Sequence, residues 1–278
     1  MTATEAPLGG IYAEVIGDPI EQSKSPVIHR FWLEKLARSG DYRRHRVKRD
    51  ELASYVENRT KDPNWRGCNV TMPLKLDVIA LADEATDRAV AAGAANMLVP
   101  REGRLIAANS DIGAVMGLLA DLQRQGRAME RISVLGSGGA ARAVLVACRS
   151  LGLSMIRIHA RDRVKATKLA VEFGLKVQPA KMSDAIGGDG LINATPLGMV
   201  GHAPLKIDIG GLSDRGWVFD LVSSPVETPL LAAAKKRGLG VASGLQMLVE
   251  QAAASFKIFF DEDAPRAHDA ELFAILGE

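Results

Sequence analysis

Two stretches of this sequence hold residue types arranged for chemistry. In ISVLGSGGAARAVLVA, Gly136, Gly138 and Ala141 form a G-x-G-x-x-A pattern between an apolar run and a helical one. Each position has a mechanical reason. Gly136 permits a tight turn, Gly138 lets the backbone approach a pyrophosphate, and Ala141 is small enough for close helix packing. Ser137, Gly139 and Ala140 complete the turn, and the helix start offers unpaired N–H groups and a positive dipole end to a phosphate. In NVTMPLK, period-two alternation puts Asn69 and Thr71 on one face of a strand, with Lys75 in the first turn of a helix predicted to begin at Pro73. A helix N-terminus disfavours a cation, so a buried lysine there has a lowered pKa and needs a carboxylate nearby. Asp111 in AANSDIGAV, at a predicted strand end, is the candidate carboxylate; spacing alone does not bring the two residues together.

The strand after the glycine turn, MIRIHA, should end beside the adenosine ribose of a bound dinucleotide, where an acid suits NAD and a base accommodates the extra phosphate of NADP. Arg161, Arg163 and Lys165 outnumber Asp162 and offer charge-assisted contacts to a phosphate, which favours NADP; Asp162 keeps NAD open.

These residues must be positioned by an α/β framework. IYAEVI reads as a strand, GDPIEQSKSP as a loop, and VIHRFWLEKLA as a helix with Ser25 suited to the N-cap and Pro26 to the first turn. CNVTM is a second strand, PLKLDVIALAD and ATDRAVAAG are helical, and NMLVP and LIAAN flank a REGR hairpin turn. A helix from Ile112 to Gln125 carries the chain onward. From RISVLGSGG to WVFDLV the order is strand, helix, strand, helix, strand, strand, the rhythm of a dinucleotide fold. LQMLVEQAAASFKIFF and HDAELFAIL close the chain as helices.

Bulk properties set the bounds. Length, at 278 residues, suggests two domains, and 47% hydrophobic and 24% charged residues describe an ordinary globular protein. A formal charge of +2 points to neither nucleic acid nor a membrane surface. Cys68 and Cys148 stand alone, without metal-ligand spacing, and read as buried free thiols in a reducing compartment. No signal peptide or membrane span is legible, so a cytoplasmic location is the expectation.

Taken in order, GDPIEQSKSPVIH, NVTMPLK, GAANM, NSD, GSGGAA, NATPLGM and GLQMLVEQA resemble the signature of shikimate dehydrogenases, from about Tyr12 to about Phe256. The resemblance implies a substrate-binding domain over 1–111, a Rossmann-type NAD(P)-binding domain over 112–244, and C-terminal helices over 245–278 packing on the first domain, with the substrate in the cleft. It implies NADP-dependent reversible reduction of 3-dehydroshikimate to shikimate, a step toward aromatic amino acids, with no metal. Ser23 and Ser25 would hold the substrate carboxylate, and Lys75 and Asp111 would form a proton-transfer dyad that, with Asn96, contacts ring hydroxyls. Asn69, Thr71 and Gln251 match further substrate contacts. Met199 matches a residue beside the nicotinamide, and Thr195 and Gly244 also fall in cofactor-binding blocks. Read singly, Ser25 also suits a cap, Asn96 a turn and Gln251 a solvated helix position.

Departures from the family pattern gather around the substrate. Ser223 stands where a carboxylate-binding tyrosine is usual, Ser110 and Ile112 replace threonine and glycine, Ser243 replaces aspartate, and Gln246 replaces glycine. Ala160, Arg161 and Asp162 replace the Asn-Arg-Thr of NADP-using members. A paralogue using NAD, or acting on quinate or another ring acid, is the alternative. A non-catalytic dinucleotide-binding module would be expected to lack Lys75 or Asp111, and a tetrahydrofolate-linked methylene dehydrogenase would not show S-K-S-P with N-S-D. Partners are expected to be small molecules, with the chain a monomer or homodimer.

Overall fold

A computed structural model describes residues 10–174 and 176–277. Its strands and helices run β1 (Tyr12–Gly17), α1 (Ser25–Lys35), β2 (Asp41–Arg46), α2 (Leu52–Arg59), β3 (Trp65–Val70), β4 (Glu84–Ala85), α3 (Asp87–Ala92), β5 (Met97–Arg101), β6 (Arg104–Ala108), α4 (Asp111–Arg124), β7 (Arg131–Leu135), α5 (Gly139–Ser150), β8 (Met155–Ala160), α6 (Arg163–Phe173), β9 (Lys176–Lys181), β10 (Gly187–Asn193), β11 (Gly211–Asp220), α7 (Pro229–Lys236), β12 (Gly240–Ser243), α8 (Gly244–Phe260) and α9 (Asp269–Leu276). The chain divides into two compact units. One comprises residues up to Thr86, Ala95–Ala108 and the chain from Ala252 onward; the other comprises Asp87–Ala94 and Asn109–Gln251.

The first unit is built on a mixed sheet in the order β2-β1-β3-β5-β6-β4. β1 is buried along its whole length and pairs in parallel with both β2 and β3. β5 and β6 form the expected hairpin, turning through Glu102 and Gly103, both at positive φ, as a two-residue turn requires. Ala13, Val15, Tyr42, Met97 and Phe259 make one part of the core.

The second unit carries a fully parallel sheet in the order β12-β11-β10-β7-β8-β9. Counted within the unit this is 6-5-4-1-2-3, the doubly wound dinucleotide-binding order, with its switch point between β7 and β10. Apolar residues of α4 and α5, among them Val115, Leu119, Val144 and Leu145, pack with Ile132, Val134 and Ile158 of the sheet.

Several elements differ from the sequence expectation. PLKLDVIALAD forms two short 3-10 turns, Leu74–Leu76 and Val78–Leu81, instead of an α-helix. The Lys75 carbonyl accepts the Ala95 N–H at 2.8 Å, which diverts an acceptor an α-helix would use. Lys75 therefore has no α-helix dipole beneath it. α1 begins one residue earlier than expected, so Ser25 is its first residue and Lys24, not Ser25, occupies the cap position. Thr71 lies beyond the end of β3, and Asp111 opens α4 rather than closing a strand. β2 was hidden in the sequence because DYRRHR is polar by residue type, although Tyr42 within it is wholly buried.

Candidate functional site

The glycine turn sits at the switch point of the parallel sheet. Gly136 leaves β7 at φ +109°, and its N–H donates to the His159 carbonyl at 2.8 Å. A Cβ there would come within 3.0 Å of the Ala194 carbonyl oxygen, so both backbone conformation and space demand glycine. Gly138, at the N-cap of α5, is different: its φ is ordinary and an added Cβ would meet no protein atom within 4 Å. The room beside Gly138 is open, as an approaching pyrophosphate needs, and no side chain caps α5. Ala141 is fully buried against the core, while Ser137, Gly139 and Ala140 are half-buried along the turn. These residues fit a dinucleotide phosphate.

At the end of β8, Arg161 and Lys165 are exposed. Asp162 caps α6, its Oδ1 accepting the Lys165 N–H at 3.1 Å. Its carboxylate is thus engaged by the backbone in the manner of a helix N-cap.

A buried network ties the loops at the carboxyl ends of β10 and β11. Asp220 accepts from Thr228 Oγ1 at 2.6 Å, from Asn193 Nδ2 at 2.9 Å and from the Val222 N–H at 3.1 Å. Burial raises the Asp220 pKa above the ordinary carboxylate value, and these donors oppose the rise. Asn193 Oδ1 in turn accepts from both the N–H and the hydroxyl of Thr195, and the Thr195 hydroxyl accepts the Leu197 N–H. Thr195, the half-buried Met199 beyond it, and the half-buried Ser223 therefore stand on loops joined through Asp220 and Asn193, two residues the sequence reading missed. Gly244 has a packing reason to be glycine: a Cβ would lie 2.4 Å from Leu221 and Val222 backbone atoms. The two departures beside it bond to each other: Ser243 Oγ accepts the Gln246 N–H at 3.2 Å while Gln246 Oε1 accepts the Ser243 N–H at 2.9 Å, a capping box for α8. Asp111 is 4% exposed in the first turn of α4, where the dipole favours a carboxylate, and Asn109 Oδ1 accepts the Ile112 N–H at 3.4 Å beside it. Gln251, also buried, donates from Nε2 to the Leu248 carbonyl at 2.8 Å.

In the first unit the side chains are arranged around β1 and β3. Ser25 is buried and donates its N–H to Ser23 Oγ at 3.4 Å. Asn69 is held on both ends: Oδ1 accepts the Tyr42 hydroxyl at 2.6 Å, and Nδ2 donates to Ser255 Oγ at 3.2 Å and to the Asn96 carbonyl at 3.4 Å. Tyr42 lies flat against His29, with ring centroids 3.9 Å apart and planes 7° apart. Burial holds His29 neutral, its pKa lowered to about 3. Asn96 is buried, and Lys75 and Thr71 are half-buried. The structure thus joins Asn69 to Asn96 and Ser23 to Ser25 within this unit, and Thr195 to the Ser223 loop within the other.

Cys68 and Cys148 are buried and unpaired, and burial pushes the Cys148 thiol up to about 12. Among the described residues no group of three or more metal-ligating side chains is assembled, and no helix is long and apolar enough to cross a membrane.

Comparison with known proteins adds to this geometry. Residues 15–98 match the model of the shikimate dehydrogenase substrate binding domain, and residues 244–271 that of the shikimate 5'-dehydrogenase C-terminal domain. A protein of Sphingopyxis alaskensis named shikimate dehydrogenase (NADP(+)) is 46% identical over 97% of this chain and 98% of its own length. Shikimate 5-dehydrogenase from Thermus thermophilus, solved in complex with NADP(H) and shikimate, superposes with a TM-score of 0.82 at 32% identity, covering 96% of this chain and 99% of that one. The ligand-free 5-ketofructose reductase of Gluconobacter sp. gives a TM-score of 0.84 at 27% identity, covering 96% and 99%.

Proposed function

The chain belongs to the shikimate dehydrogenase family, and from that premise we propose that it reduces 3-dehydroshikimate reversibly to shikimate with NADP. The observation that carries the reading is the 46% identity, sustained over 97% of the chain, to an NADP(+)-dependent shikimate dehydrogenase. The local geometry supports the cofactor: Gly136 and Gly138 shape an open turn before α5, Ser137, Gly139, Ala140 and Ala141 continue it, and Arg161 and Lys165 supply charge for the additional phosphate. Asp162, the acid that would suit an unphosphorylated ribose, has its carboxylate engaged at the start of α6.

The bound cofactor would supply the hydride as NADPH in the reduction and accept it as NADP+ in the oxidation. Lys75 gives a proton to the carbonyl oxygen as it becomes an alkoxide and removes it in the oxidation, with Asp111 as its carboxylate partner. Ser23 and Ser25 hold the substrate carboxylate by their hydroxyls, while Asn69, Thr71, Asn96 and Gln251 address the ring hydroxyls. Tyr42 and Ser255 fix the Asn69 amide, so its direction is set before the substrate arrives. Thr195 and Met199 on their loop, with Gly244 at the start of α8, would receive the nicotinamide end, and Ser223 would address the substrate. We place the enzyme in the cytoplasm as a monomer or homodimer, with no nucleic-acid or membrane partner.

The same fold carries a 5-ketofructose reductase, so the ring acid needs its own test. Absorbance at the nicotinamide band, followed with shikimate and with quinate, each with NAD and with NADP, provides it. Shikimate with NADP is expected to exceed the other three combinations in kcat/KM by at least about tenfold, the scale of one charge-assisted contact. Faster turnover with quinate or with NAD overturns the corresponding half of the proposal.

A further inference from the structure

The serine loop has an electrostatic feature that its motif does not account for. Of the arginines on β2, Arg43 pairs with Asp41 at 2.8 Å and Arg46 with Asp18 at 2.7 Å, and Arg30 on α1 also pairs with Asp41. Arg44 alone among these four has no acidic partner among the described residues. Its Nε and Nη2 donate instead to the Ser23 carbonyl oxygen, at 2.8 and 2.6 Å. Lys24, between the two serines, likewise donates to a neutral acceptor, the Leu276 carbonyl, at 2.8 Å. A bond to a carbonyl fixes a cation's position and leaves its charge uncancelled. The ionisation behaviour agrees: burial lowers the Lys24 pKa with no acid to restore it, and burial and the neighbouring Arg30 lower that of Arg44.

The backbone at this point offers an anion little. Ser25 directs its N–H to Ser23 Oγ, Pro26 has none, and Val27 and Ile28 both donate to the Lys24 carbonyl. The first turn of α1 is satisfied within itself, so a carboxylate held by the serine hydroxyls must find its counter-charge in side chains. Arg44 is anchored to the backbone of the very residue whose hydroxyl is to make the contact, within the ~8 Å Debye length of physiological salt. Three of its five N–H donors remain after the two bonds to Ser23.

We infer that Arg44, assisted by Lys24, supplies the positive charge that selects a carboxylate-bearing substrate at the Ser23–Ser25 loop, in a chain that has Ser223 where its family usually has a carboxylate-binding tyrosine. The inference deepens the proposed function and rests on it for the orientation of the substrate. Arg44 is a specificity-determining residue that acts through charge and through the Ser23 carbonyl, with no part in proton or hydride transfer.

The test is calorimetric binding to the NADPH-loaded enzyme of shikimate and of shikimate methyl ester, a pair that differs in one charge and needs no turnover. Arg44→Gln is expected to weaken shikimate about fivefold, the scale of one partly screened charge, to leave the methyl ester within twofold, and to flatten the salt dependence of shikimate binding. Arg44→Lys should recover most of the loss. An equal loss for acid and ester makes Arg44 a loop anchor only and overturns the inference, as does no loss for either. The proposed function fails separately, by the absence of shikimate turnover in the unmodified enzyme; quinate and its methyl ester then take the place of the first pair.

Discussion

The glycine turn before α5 and the serine loop before α1 both precede a helix, yet they would hold negative charge by opposite means. At the turn, side chains are absent where a ligand approaches: Gly138 opens onto space, Gly136 is pressed against Ala194, and the helix has no side-chain cap. At the serine loop the first turn of the helix is internally satisfied, and charge comes from Lys24 and Arg44, held on neutral carbonyls. A turn made of backbone is specified by a handful of adjacent residues. A loop made of side chains depends on β2 and α9, which lie far from it in sequence. The two regions should therefore fail differently when altered.

The largest effect expected is from Lys75→Ala, which should lower turnover at least about a hundredfold, the scale of a positioned acid or base, with dinucleotide affinity nearly unchanged. Steady-state kinetics decide it, and near-normal kcat removes Lys75 from the chemistry. Within the turn, two glycines should separate binding from stability. Gly138→Ala is expected to raise the NADP KM about tenfold or more while shifting Tm by no more than about 2 °C, because only the ligand would meet the new methyl. Gly136→Ala should cost about 1–3 kcal/mol in chemical denaturation through its positive φ and the Ala194 contact. Equal Tm losses in the two variants would erase the contrast.

On the other side of the comparison, His29 supports Tyr42, which in turn orients Asn69. Its folded pKa of about 3 lies below the unfolded value of about 6.5, so the unfolded chain binds the extra proton between those limits. Stability is therefore full above about pH 6.5 and falls as the pH drops toward 3, by about 1.4 kcal/mol per unit from this group. His29→Phe, which keeps a ring in the stack, should flatten that part of the urea-denaturation profile; an unchanged slope excludes His29 as its source. The smallest effect is from Asp162→Ala, which should remove a cap for α6 and cost about 1 kcal/mol. The NADP-to-NAD preference should stay the same, and a large shift in that ratio would show Asp162 to be a cofactor-selecting residue after all.

How much was legible follows the same division. The dinucleotide fold could be read from ISVLGSGGAARAVLVA because strand, turn and helix are contiguous, and Gly136, Gly138 and Ala141 each have a local reason. PLKLDVIALAD misled, since its apolar spacing suits a helix while a hydrogen bond from Ala95 claims the Lys75 carbonyl. DYRRHR was unreadable as a strand, because a residue-type pattern does not reveal that Tyr42 faces a core built from β1, β5 and α8. Asp162 was ambiguous by type, and its bond to the Lys165 N–H supplied a reason for an acid there.

By itself the sequence determined the family blocks, the two-part α/β organisation and the glycine turn, all of them encoded over a few neighbouring positions. Only the tertiary structure decided what surrounds the serine loop. The parallel pairing of β1 with β2 sets Ile16 beside His45 and Gly17 beside Arg46, so the strand end from which the loop departs lies against the arginines of β2. Arg44 reaches Ser23 because of that register, across 21 residues of chain that carry no mark of the meeting.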